Sequence, residues 1–100
     1  MTMLERDVER PVCRWASKEM GIKVLKLSAP NQRGQGDRLF LKNRIAAFIE
    51  FKRPGKKPTT LQWKFLKWAR SEGFPAEWFD NREKAKVWLT EVFELEEFKI

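Results

Sequence analysis

Arg38-Leu39-Phe40-Leu41, Lys42-Asn43-Arg44 and Ile45-Ala46-Ala47-Phe48-Ile49-Glu50-Phe51-Lys52 form the stretch that decides the fold. Two apolar, β-prone runs flank a short polar segment of hairpin length, which predicts adjacent antiparallel strands in the middle of a sheet. A period of two puts Phe48, Glu50 and Lys52 on one face of the second strand and Ala47, Ile49 and Phe51 on the other. An acid and a lysine thus share a face at the end of an apolar strand, where burying charge is costly unless it is paired or coordinated. Asp37 opens the first strand, and the hairpin can bring it beside Glu50, where two carboxylates could share a metal.

Outward from the hairpin, Lys23–Leu27 reads as a preceding strand, followed by the polar, glycine-bearing loop 29–36. Leu4, Val8, Val12, Trp15, Ala16 and Met20 recur at helical spacing and predict a first helix over residues 3 to 20, closed by Gly21. Thr2-Met3-Leu4-Glu5 has the form of a capping box for it. Pro11 inside this pattern predicts either a kink or a start nearer Asp7. After the basic turn Arg53–Pro58, residues Leu61, Phe65, Trp68 and Ala69 mark a second helix, capped by Thr59 or Thr60 and ended by Gly73. Ala76–Phe79 reads as a short strand. Ala85, Trp88, Leu89, Val92 and Phe93 define a last helix from near Asn81, and residues 94–100 form an acidic, partly apolar tail. The expected architecture is one α/β domain over residues 1–100, a mixed sheet flanked by helices.

The chain carries 21 Lys and Arg against 14 Asp and Glu, a formal charge of +7, which favours a polyanionic partner. It holds no histidine and one cysteine, Cys13, so intramolecular disulfides, His–Cys zinc sites and histidine-based catalysis are excluded. Hydrolytic chemistry would have to use carboxylates, lysines and a hard cation with oxygen ligands. No segment approaches the roughly 18 apolar residues of a membrane span, and the N-terminus lacks the apolar core of a signal peptide. A cytoplasmic protein with no membrane partner is expected.

Four separated elements then fall into a recognisable order. Gly34-Gln35-Gly36-Asp37-Arg38 places Asp37 thirteen positions before Glu50, Glu50-Phe51-Lys52 follows, Gln62 lies twelve beyond Glu50, and Glu5-Arg6-Asp7-Val8-Glu9 sets glutamates around an aliphatic residue in the first helix. This pattern resembles the virus-type replication and repair nucleases, the VRR-NUC domains of the PD-(D/E)xK superfamily, with their G-x-P-D-R, E-x-K and helical Gln. One departure is Gly36, where the family usually has proline. Glycine leaves φ unfixed, which loosens the lead into Asp37.

The resemblance implies a restriction-endonuclease-like core and a Mg²⁺- or Mn²⁺-dependent endodeoxyribonuclease. Asp37, Glu50 and the backbone carbonyl of Phe51 would be metal ligands, and Lys52 would orient or deprotonate the attacking water and stabilise the phosphate. Gln62 would hold water or fix the site, and Glu9, with Glu5 as second choice, would reach the metal through water. Lys26 would contact phosphate. Arg33, Arg38, Arg53, Lys56 and Lys57 lie in or beside the loops expected to border the site and are candidate DNA contacts. Trp63, Trp68, Trp78 and Trp88 read as core or interface residues, with Trp63 the one candidate for base stacking. Nucleases similar to this chain tend to be homodimers acting on branched DNA, including four-way (Holliday) junctions, which implies a phage or bacterial resolvase-like enzyme of DNA repair or recombination. The alternative is a basic DNA-binding module on a degenerate nuclease fold, without catalysis.

Overall fold

The structure, a computed structural model, describes residues 2–27 and 37–97, with the side chains of all these except Asp37 and residues 95–97. The elements run α1 (Glu5–Met20), β1 (Lys23–Lys26), β2 (Asp37–Lys42), β3 (Ile45–Phe51), α2 (Thr60–Ser71), β4 (Ala76–Phe79) and α3 (Arg82–Glu97). Loop residues 28–36, including Arg33 and the Gly34–Gly36 segment, lie outside the described residues, as does the end of the tail, 98–100.

Strand order is β1-β2-β3-β4. The first three strands form an antiparallel meander, and β4 joins parallel to β3. That parallel step requires a crossover, which α2 supplies. The β2–β3 hairpin is tighter than its sequence predicts: Lys42 pairs with Ile45, leaving a two-residue loop. Asn43 and Arg44 both take positive φ, 51° and 67°, as a type I′ turn demands.

The sheet separates two apolar clusters. Val8, Val12, Ala16 and Met20 of α1, with Ala85, Leu89 and Phe93 of α3, pack on Phe40, Ala47, Ile49 and Phe51. On the opposite face, Leu66 and Ala69 of α2 pack with Ala76, Phe48 and Trp78. Alternation along β3 therefore sorts its side chains between two helical layers. Among the described residues no helix is long and apolar enough to cross a membrane.

Helix ends depart from the sequence expectation in informative ways. α1 starts after Leu4, whose N–H is accepted by Asp7 Oδ2 at 2.8 Å, so Asp7 rather than Thr2 completes the first turn. The helix begins at Glu5 and runs through Pro11 to Met20. Gly21 ends it in the left-handed region, φ 66°, and Ile22 N–H reaches back to Ala16 O. In α2 the buried residues are Gln62, Leu66 and Ala69, whereas Leu61 and Trp68 are exposed. Of the expected stripe Leu61, Phe65, Trp68 and Ala69, Ala69 is buried and Phe65 packs on Phe48, whereas Leu61 and Trp68 face outward, the polar Gln62 taking an inward position. α3 continues as helix to Glu97, so residues 94–97 are not a separate tail.

Thr59 caps α2: its hydroxyl accepts from Gln62 N–H while the Gln62 side chain accepts from Thr59 N–H, a reciprocal box. Thr59→Ala is expected to lower stability by about 1 kcal/mol in urea denaturation. Thr60→Ala should cost only a small fraction of that, and equal losses would show that the cap had been misassigned.

Candidate functional site

Glu50 has no solvent-exposed surface. It sits near the end of β3 on the α2 face, opposite Asp37 on β2 and Trp78 on β4. Charge so deeply placed needs compensation, and among the described residues Gln62 and Lys52 contribute to it. Gln62 Nε2 donates to Glu50 Oε1 at 2.7 Å, and Lys52 Nζ stands 4.0 Å from the same oxygen. Lys52 shares this face because the ladder does not stop at Phe51: Lys52 N–H still donates to Phe79 O at 2.9 Å, which keeps the chain extended and its period intact.

The orientation of the Gln62 amide follows from its other bond. Thr59 N–H is solely a donor, so the Gln62 atom facing it at 2.8 Å must be oxygen, and the NH₂ group must then turn to Glu50. A helix cap thereby fixes the angle of a buried carboxylate twelve residues upstream. Lys52 differs in kind. It is only 7% exposed, yet among the described residues its ammonium makes no hydrogen bond, its nearest acid lying 4.0 Å away. Its three donors thus have no direct acceptor among the described residues while the stem is buried, an arrangement suited to an anionic ligand.

The predicted residues divide between the two faces of the sheet. Asp37 is the register partner of Glu50, so the backbone sets these two positions side by side. Phe51 buries its ring in the α1–α3 layer, leaving only its backbone to the site. Arg38, next in β2, turns to the α1 layer, where its Nε donates to Glu9 Oε2 at 2.8 Å. Glu9 is 7% exposed and engaged in that pair, so α1 presents it across the sheet from the Glu50–Gln62 bond. Glu5 is half-buried near the start of the same helix. Lys26 is exposed on edge strand β1, in register with Arg38.

Arg53, Lys56 and Lys57 are exposed in the segment directly after Lys52. Pro54 and Gly55 (φ 83°) form the centre of a type II turn closed by Lys56 N–H to Arg53 O at 3.0 Å. Asp80 Oδ2 accepts from Gly55 N–H at 3.0 Å and pins this turn to the end of β4. Asp80 was not among the sequence candidates, and its role depends on the parallel pairing that brings β4 there. Trp78, expected from the sequence to be a core or interface residue, packs edge-on against Trp63 at 6.3 Å beside the cluster, which makes Trp63 a packed residue. The Thr59–Gln62 spacing did carry a signal, since T-x-x-Q is the capping-box pattern.

Glu50 offers carboxylate oxygens, and the position of a second acid, Asp37, lies in register beside it; oxygen ligands of this kind suit a hard divalent cation and not a soft one. Among the described residues no group of three His, Cys, Asp or Glu side chains surrounds a metal position. No protein-family model matches the chain, and no curated protein matches it.

Cys13 lies close to the Glu9–Arg38 pair. Burial pushes its thiol up to about 11, with Arg38 opposing and Glu9 reinforcing the shift. A raised thiol favours the folded state below the unfolded value and loses that contribution as pH climbs from about 9 to about 11. At pH 8 the native thiolate fraction should be about 100-fold below that of the unfolded chain, and alkylation should be slowed at least that much. Iodoacetamide labelling with and without urea checks this, and equal rates would contradict it. For the buried pair, Lys52→Met should destabilise the fold by roughly 3 kcal/mol by stranding Glu50, and adding Glu50→Gln should recover most of the loss. Denaturant melts of the single and double variants provide the comparison.

Proposed function

We propose that this protein is a metal-dependent, structure-specific DNA endonuclease of the VRR-NUC type, built on a restriction-endonuclease-like core. The observation that carries the reading is the convergence at one strand end of Glu50, Lys52 and Gln62, with Asp37 in register opposite Glu50. A mixed sheet between helical layers is the arrangement that the sequence resemblance implies.

In this reading Glu50, the position of Asp37 and the carbonyl of Phe51 hold Mg²⁺ or Mn²⁺, which when bound acidifies water and neutralises charge on the phosphoryl oxygens. Gln62 keeps the Glu50 carboxylate in one orientation, so little reorganisation is needed when substrate arrives. Lys52 offers its uncommitted donors to the attacking water and to a phosphate oxygen. The Glu9–Arg38 pair anchors the start of β2 and so helps position Asp37, a role that suits Glu9 better than direct contact with the reacting groups. Arg53, Lys56 and Lys57 receive the DNA backbone beside the cut.

The substrate in this proposal is branched DNA, with four-way junctions foremost, cut by a homodimer whose two sites are related by a two-fold axis. Exposed Leu61, Trp68 and Phe74 offer an apolar surface for the second copy. The protein would act in the cytoplasm of a bacterium or of a phage-infected host.

Cleavage of matched junction, flap, single-stranded and linear duplex DNAs with Mg²⁺, Mn²⁺ or EDTA tests the reading. Paired, metal-dependent incisions are expected at the junction, with Glu50→Ala and Lys52→Ala each lowering the rate by about 100-fold or more. Tight binding with no cleavage of any DNA would favour a non-catalytic binding module instead.

A further inference from the structure

The strongest charge feature outside the Glu50 cluster lies on α1. Arg6, Arg10 and Arg14 recur every four residues and line one hollow of about 580 Å³ together with Arg82 from the start of α3. All four arginines are exposed, and among the described residues none of their guanidinium groups makes an ion pair or hydrogen bond. The one acid in the wall, Asp7, accepts from Leu4 N–H.

This arrangement works against the helices that carry it. Like charges four apart repel along a helix, and cations at Arg6 and Arg82 face the positive ends of the helix dipoles. A polyanion reverses both penalties. Successive arginines advance about 6 Å along the axis of α1, close to the roughly 6.8 Å of duplex axis between every second phosphate of one DNA strand. The hollow also has a direction. Thr2 and Met3 line both it and a second hollow of about 330 Å³ formed with Arg53, Pro54, Gly55 and Lys56. Arg53 immediately follows Lys52, so the basic surface runs from α1 to the edge of the proposed cleavage site.

We infer that Arg6, Arg10, Arg14 and Arg82 form a phosphate track that holds the duplex arm flanking the scissile bond. This inference rests on the nuclease reading for its substrate, but binding tests it separately from cleavage. The guanidinium planes grip phosphate oxygens in pairs, giving register without base readout.

The experiment is fluorescence anisotropy of a labelled duplex DNA over a NaCl series in EDTA, where cleavage is absent. Arg6→Gln/Arg10→Gln/Arg14→Gln should flatten the slope of log K against log salt by about 2 to 3 units, near 0.9 for each phosphate that is no longer neutralised. Lysine at the same three positions should restore most of that slope. Lys23→Gln/Lys67→Gln/Lys84→Gln removes the same charge at exposed sites elsewhere and should change the slope far less. Circular dichroism melts verify folding, and the single Arg10→Gln and Arg14→Gln variants, expected to flatten the slope by about 0.9 unit each, cover a failure of the triple variant. An unchanged slope, a flattening matched by the lysine control, or no duplex binding at all would overturn the track. Binding that depends on these arginines without any cutting would sink the nuclease reading alone. Cutting with an unchanged slope would sink the track alone.

Discussion

A carboxylate with no solvent exposure must be held by neighbours that cannot move independently, and Glu50 imposes that condition on several elements at once. Gln62 can donate to it only because the opposite side of the same amide is occupied by Thr59 N–H. The cap that begins α2 and the polar centre on β3 are therefore one network. Lys52 contributes charge at 4.0 Å from the same carboxylate. A core designed for stability alone would replace such a group with an apolar one, since buried ion pairs seldom outperform good packing. Such a cluster is what the proposed chemistry would require.

The sheet uses alternation to keep two tasks apart. Phe40, Ala47, Ile49 and Phe51 complete the larger core with α1 and α3, while Phe48 and Trp78 meet α2 around the polar cluster. Consecutive residues of β2 take part in different structures: position 37 faces Glu50 in register, and Arg38 pairs with Glu9 in the α1 layer. Because strand side chains repeat every two residues, a register slip of one would exchange these roles. The two-residue turn at Asn43–Arg44 fixes that register by its length and its positive φ angles.

Positive charge follows the same partition. One basic segment, Arg53–Lys57, is clamped to the end of β4 by Asp80. Another lines α1 and meets the first across Thr2 and Met3. Arg38, although basic and next to Asp37, is spent on Glu9 and supports the fold from within. A cation's value to a polyanion thus depends on whether an internal acid has already claimed it.

Local sequence determined the elements and the facing of β3. The period of two placed Glu50 with Lys52, the hairpin residues predicted Asp37 opposite Glu50, and Gly21 marked the end of α1, all because these signals act within a few residues. Position in the tertiary structure decided the rest. The inward turn of Gln62 followed from a buried acceptor on another element, which outweighed the apolar stripe of Leu61 and Trp68. The separation of Glu9 from Glu50 came from α1 and α2 packing on opposite faces, something helical spacing cannot encode. Asp80 and Trp78 reach the site only through the parallel pairing of β4 with β3, a contact bridged by a whole helix. Short-range geometry is written in residue order, whereas contacts between distant segments exist only once the layers have closed on one another.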